Sequence, residues 1–220
     1  RNMKILRNTY ARLRSSAVRF AADQNGATLP ELAIVMPLFL LLFMGMIDFG
    51  RMAFHYVVAE RAMNVASRVA AVRPPACSGV PETNVRPSSV SGTPPEFGTS
   101  CRAGANICAN AGTVTCSGDA SNATASEIWA LVQGAMPVDA DISNLSFSYA
   151  YDNNLGFLGG PYVPVVTVEL QNLNFNFLTP LGGLVALTGA TADPSLAATV
   201  PFPPMSVSLP GEDLALGSSG

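Results

Sequence analysis

The 220-residue chain has 12% charged residues, 49% hydrophobic residues and a formal net charge of -3. That length supports one ordinary domain plus an anchor, and a positive mean hydropathy fits a membrane segment joined to a globular part. Half of all Lys and Arg (Arg1, Lys4, Arg7, Arg12, Arg14, Arg19) fall in the first nineteen residues, whereas beyond Arg102 there is none and nine Asp or Glu remain. A basic flank before an apolar run orients the N-terminus to the cytoplasm. The adjacent apolar run makes that reading stronger than a nucleic-acid-binding arm, so no nucleic acid partner is expected.

The first element in chain order is an anchor. Leu32 to Ile47 contains no charged side chain, and counted from Ala27 the stretch reaches the roughly 20 residues that cross a bilayer, with Glu31 as its one charge. Asp48-Phe49-Gly50-Arg51 follows, which is not the small-residue pattern at which a secretory signal is cleaved. Pro37 predicts a bend and not a break, because membrane helices tolerate an interior proline. Beyond the run, Phe54, Val58, Ala62, Val65, Val69 and Val72 recur every three or four residues on one helical stripe and predict that the helix continues, its outer half packed against the sheet. Arg73-Pro74-Pro75 ends it. From Leu32 to Val72 such a helix measures about 60 Å; two helices broken near Gly50 are the other reading.

Residues 74–123 are rich in Pro, Gly, Ser, Thr and Asn and contain all four cysteines, Cys77, Cys101, Cys108 and Cys116. The orientation puts them in an oxidising compartment, where two disulfides are expected in one of three pairings. No Cys-x-x-Cys spacing exists and His55, the sole histidine, lies far away, so no metal site is expected. The bridges would stabilise a segment too poor in apolar groups to hold itself.

Thr124-Ala125-Ser126-Glu127 reads as a capping box opening a short helix whose apolar face is Ile128, Leu131 and Val132. Trp129, the only tryptophan, reads as a core or domain-surface anchor. Leu145, Phe147, Tyr149 and Tyr151 alternate with small residues, Val163 to Leu170 is valine-rich, and Leu173, Phe175 and Phe177 alternate with Asn172, Asn174 and Asn176. These predict antiparallel strands. Thr179-Pro180-Leu181-Gly182-Gly183 predicts a loop, and residues 196–209 predict one or two strands placed at an edge by Pro201, Pro203 and Pro204. The expected fold is α+β: a long N-terminal transmembrane helix extending into a small, mainly antiparallel sheet domain with a disulfide-stapled loop region.

Gly26-Ala27-Thr28-Leu29-Pro30-Glu31, a glycine followed five residues later by a glutamate and then an apolar helix, resembles the processing site of type IV prepilins. Leu32 to Leu38 and Gly45-Met46-Ile47-Asp48-Phe49-Gly50-Arg51 are similar to one branch, the TadE-like family of minor pseudopilins in the tight-adherence (Flp) pilus system. Val165-Val166-Thr167-Val168 and Phe177-Leu178-Thr179-Pro180-Leu181 also look like that family's C-terminal part. The resemblance implies cleavage by a prepilin peptidase between Gly26 and Ala27, and pairing of Glu31 with the new Ala27 amine of a neighbouring subunit. The divisions that follow are 1–26, a basic cytoplasmic leader; 27–73, the transmembrane and projecting helix; 74–123, the cysteine-bearing loop region; and 124–220, the short helix and sheet.

Glu31 also fits a helix start beside Thr28 and Pro30, where an acid is favoured. Leu32, where major pilins of the system have an aromatic, argues with the large external domain against a major filament subunit. The family implies a minor pseudopilin acting in Flp-type pilus assembly from the bacterial inner membrane, with its C-terminal domain in the periplasm. The implied partners are other pilins and pseudopilins through the helix, the prepilin peptidase, the assembly platform and membrane lipid. An uncleaved single-pass scaffold or binding module is the second reading. Catalysis is not expected: His55 lies just past the membrane segment, Asp139, Asp141 and Asp152 read as loop residues, and no phosphate-binding glycine loop is present. No cofactor is implied. Asp48 and Arg51, three apart, predict a helix-surface ion pair.

Overall fold

A computed structural model describes residues 28–89, 92–178, 199–212 and 214–215. The chain divides into two compact units between Ile47 and Asp48. The described part of the first is the initial stretch of a single helix, α1 (Thr28–Val72), which runs without interruption through Pro37 and Gly50 and stops at the residue before Arg73-Pro74-Pro75. A proline-blocked end and a continuous interior are what the sequence predicts; the reading with two helices is not what forms.

In the second unit the remaining elements are β1 (Thr113–Ser117), α2 (Ala123–Val132), β2 (Leu145–Ala150), β3 (Val165–Leu170), β4 (Asn174–Asn176), β5 (Thr199–Pro201) and β6 (Met205–Pro210). Four strands form an antiparallel sheet in the order β1-β2-β3-β6, and β4 pairs with β5 in a separate two-stranded ribbon. The architecture is α+β. β1 lies inside the cysteine-bearing stretch expected to be loop. The predicted loop at 179–183 and residues 196–198 lie outside the described residues.

Period-two alternation decides the sheet's faces. In β2, Leu145, Phe147 and Tyr149 are buried; in β3, Val166, Val168 and Leu170 are buried. Register aligns them, with Phe147 opposite Val168 and Cys116, and Tyr149 opposite Val166 and Val114. The other face carries Ser146, Ser148, Thr167 and Ser208, and the Thr167 and Ser208 hydroxyls are 2.8 Å apart. The buried face meets α1 through Ala59, Met63, Ala66 and Ala70 and meets α2 through Ala125, Ile128 and Val132. Each large apolar side chain so covered contributes about 1.5–3 kcal/mol. Tyr149 is buried among them; its hydroxyl accepts a bond from the Ala76 N–H at 2.9 Å. Burial pushes its phenol above the ordinary value, against the lowering effect of that bond.

Two local expectations are corrected. The α2 cap is Asn122, whose side chain accepts from the Ala125 N–H at 3.0 Å; Thr124 instead donates to the Pro74 carbonyl and Glu127 instead pairs with Arg73 at 2.9 Å. A local capping motif loses because those two side chains tie α2 to the end of α1. The Arg73 guanidinium hydrogen bond holds Glu127 below the usual carboxylate range. Leu131 is 58% exposed, and Ala125 takes its place on the buried face with Ile128 and Val132. Trp129 packs partly buried against the core, as a domain anchor.

Candidate helix-packing surface

α1 presents two different surfaces along its length. From Leu32 to Ile47 the side chains are apolar and exposed on nearly every side, with partial cover only at Pro37, Leu41, Met44 and Gly45. Ile34 is 77% exposed and Met46 is 76% exposed. The Phe39 and Phe43 rings stack 5.9 Å apart along one side, at the i,i+4 spacing of helix neighbours. The helix is long and apolar enough to cross a membrane. A soluble domain does not leave that much large apolar surface open, so the apolar run reads as a membrane anchor. Glu31 sits in the first turn of the helix and is exposed. Gly26 and Ala27, the predicted cleavage pair, lie outside the described residues.

At Asp48 the surface changes. Asp48 is 1% exposed, accepts the Leu178 N–H at 3.2 Å and pairs with Arg51 at 3.1 Å. The predicted pair therefore forms, but its acid is buried and not on the helix surface. A buried carboxylate is tolerated only when such partners replace its water. Arg51 in turn lies over the buried Phe175 ring, 5.5 Å from its centroid, and the His55 ring lies 5.8 Å from the same ring. His55 shares a pocket lining with Asp139, and among the described residues no hydrogen bond or ion pair joins the two. Asp141 caps a short 3-10 turn at Ile142–Asn144, Asp152 accepts from the Asn154 N–H, and Asp139 contacts Asn176. Among the described residues, no three of His, Cys, Asp and Glu gather as metal ligands.

Beyond Asp48 the buried stripe of α1 is Ala59, Met63, Ala66, Ser67 and Ala70. The predicted stripe splits: Phe54 is 66% exposed, Val65 48% and Val72 42%, whereas Val58 is half-buried and Ala62 and Val69 pack against the core. Phe54, Val57, Val65 and Val72 face outward, on a side that the exposed Arg61 and Arg68 share.

The four cysteines pair as Cys77–Cys116 and Cys101–Cys108, with Cα atoms 5.6 Å and 5.2 Å apart. The first bridge ties the chain just past α1 to β1. The second closes a short loop over a small core of its own with Leu158, Ile107 and Tyr151. Buried Asn84 holds this region to the turn at 156–161, donating to the Pro161 carbonyl at 3.0 Å. Gly156 at φ +76° permits the approach, since a Cβ there would meet the Asn84 side chain at 2.6 Å.

Residues 26–68 match the family model of TadE-like protein. This is a TadE-like segment. It covers the predicted processing site, the apolar run, the Asp48–Arg51 pair and most of the outward stripe, and it ends before the cysteine-bearing region and the sheet. The match suggests a component related to the Tad pilus. No curated protein and no solved structure matches the chain.

Two features of the surface were not legible in the residues alone: which face of α1 the domain takes, and the burial of Asp48. The regular spacing of Ala59, Ala66 and Ala70 is the signal that marks the packed face. The apolar Leu178 to the C-terminal side of β4 gives no hint that its backbone reaches Asp48.

Proposed function

We propose that this protein is a minor pseudopilin that acts in assembly of a Flp/Tad-type pilus, through lateral packing of α1 against the helices of neighbouring subunits. The observation that carries this reading is the exposed apolar surface of α1, broad over Leu32–Ile47 and limited to Phe54, Val57, Val65 and Val72 beyond Asp48. In lipid, apolar surface alone does not drive helices together; close packing and polar pairing do. Glu31 supplies the polar pair in this proposal. After cleavage between Gly26 and Ala27, the Ala27 ammonium of one subunit meets the Glu31 carboxylate of the next. Asp-type charges cost about 2.5–3.5 kcal/mol at mid-membrane on insertion scales, so an unpaired acid is disfavoured and a paired one sets the register. The basic leader stays in the cytoplasm, the inner membrane holds the run from Leu32, and the disulfide-bearing domain lies in the periplasm, where it selects which neighbour fits. The prepilin peptidase and the assembly platform are the remaining partners.

The test is the mass and N-terminal sequence of the membrane-extracted protein from hosts with and without the prepilin peptidase. The expected result is a chain beginning at Ala27 only where the peptidase is present, and no shortening of a Gly26→Val variant. An intact N-terminus in both hosts would instead support the uncleaved scaffold.

A further inference from the structure

A pocket of about 300 Å³ opens in the second unit, beside Arg51 and His55 of α1. Its polar walls are Arg51, His55, Asp139 and Asn176, and its apolar walls include Phe175 and Phe177. Arg51 and His55 are one turn apart on α1, and both lie against the buried Phe175 ring, which fixes where the guanidinium and the imidazole sit. Arg51 commits only Nη1 to Asp48 among the described residues, and no hydrogen bond involves the His55 ring there. Asp139 adds a negative charge to the same lining and is held by Asn176. The pocket lining therefore carries a guanidinium and an imidazole together with a carboxylate, and among the described residues Asp139 forms no ion pair with Arg51.

The rim is apolar to an extent that water does not favour. Val138 is 97% exposed, Leu178 is 73% exposed and Phe49 is 59% exposed. Val138 and Leu178 both line the same pocket. Arg51 follows the last residue of the apolar run, Ile47, by four positions in the same helix. In a chain anchored by that run, Arg51 and His55 fall at headgroup depth, where long basic side chains and amphipathic rings settle.

We propose that this pocket binds the headgroup of a zwitterionic aminophospholipid, with its phosphate at Arg51 and His55 and its ammonium at Asp139. Val138 and Leu178 rest in the adjoining acyl region. The charge pattern selects this class: a phosphate with a hydroxylated, uncharged headgroup satisfies Arg51 but leaves Asp139 facing the lipid's negative charge. A neutral diacylglycerol satisfies neither. The site rests on the proposed membrane anchoring of α1, and it would fix the depth and rotation of the helix in the bilayer, hence which stripe faces a neighbouring subunit.

The full chain purified in detergent would be mixed with phosphatidylethanolamine, phosphatidylglycerol or diacylglycerol of identical acyl chains, and retained lipid counted by native mass spectrometry. Flotation with liposomes would be measured in parallel. Preferential retention of phosphatidylethanolamine is expected, reduced about tenfold by Arg51→Gln through loss of a charge-assisted bond. His55→Leu should weaken it less. Asp139→Asn should reverse the preference toward phosphatidylglycerol, a swap that loss of folding cannot produce, and it carries the test even where Arg51→Gln destabilises the domain around Asp48. All variants should float, since Leu32–Ile47 is untouched. A floating chain that retains the three lipids equally, or an Asp139→Asn variant with unaltered preference, overturns the headgroup site and leaves the anchor standing. A chain that does not float overturns both.

Discussion

Residues 32–47 and residues 48–72 belong to one helix yet obey different rules. The first stretch is built of Leu, Ile, Val, Met and Phe on every side, and almost none of it is covered. The second buries one face of Ala, Ser and Met against the sheet and turns Phe54, Val57, Val65 and Val72 outward. Cover by the sheet, and not hydropathy alone, divides the helix surface: Ala59, Met63, Ala66 and Ala70 are buried, while Phe54, Val57, Val65 and Val72 are left open.

The largest expected effect concerns how the second stretch is held. Loss of the Cys77–Cys116 bridge, which spans 39 residues, should cost about 4 kcal/mol by the loop-entropy relation, against about 2.5 kcal/mol for Cys101–Cys108, which spans 7. Denaturant unfolding of Cys77→Ser/Cys116→Ser and Cys101→Ser/Cys108→Ser double variants checks the order; equal losses would show that the first bridge does not govern how the domain meets α1.

The division of the helix surface is tested next. Ala66→Leu forces a larger side chain into the buried face and should destabilise the domain by about 1–3 kcal/mol. Ala33→Leu, on the open stretch, should leave the domain's unfolding midpoint unchanged within about 0.5 kcal/mol. If both changes were equally harmless, the division of the helix into two surfaces would not stand.

The sequence carried the helix, its proline stop and the strands β2, β3 and β4, because each is written as local periodicity: Leu145, Phe147 and Tyr149 alternate, and Leu173 and Phe175 alternate around Asn174. It did not carry what tertiary contact decides. Of the stripe from Phe54 to Val72, Phe54, Val65 and Val72 stay open while Ala62 and Val69 pack against the core. Thr124 and Glu127 read as a local cap, but Pro74 and Arg73 claim them. β1 escaped notice because Thr113 to Ser117 is short and lies among Gly, Ala and Asn residues. The cysteine pairing followed only from β1 lying beside β2. At the helix-packing surface, Asp48 and Arg51 were legible as a pair, whereas the burial of Asp48 depended on a backbone N–H 130 residues away.

Smaller effects sharpen the junction between α1 and α2. Asn122→Ala should cost about 1 kcal/mol as a lost helix cap. A comparable loss of α2 protection in hydrogen exchange should accompany it, while Thr124→Val should perturb the Pro74 end of α1 instead. The smallest effect is electrostatic. Because Arg73 lowers the Glu127 pKa, this exposed pair contributes stability above the ordinary glutamate value of about 4.3 and loses it as the pH falls through the depressed folded value. The stability–pH curve of Arg73→Gln should therefore be flatter than that of the unmodified protein below about pH 5; parallel curves would remove the pair from the account.

The central claim is that the outward stripe of α1 is a surface for other pilin-like helices. A photo-crosslinking residue placed at Val65, in membranes of cells assembling the pilus, addresses it directly, with Glu60 as an exposed position off the stripe. Adducts to another subunit bearing a pilin-like helix are predicted from Val65 and not from Glu60. Adducts from Glu60 alone, or none from Val65 while the protein is membrane-bound and folded, would contradict it.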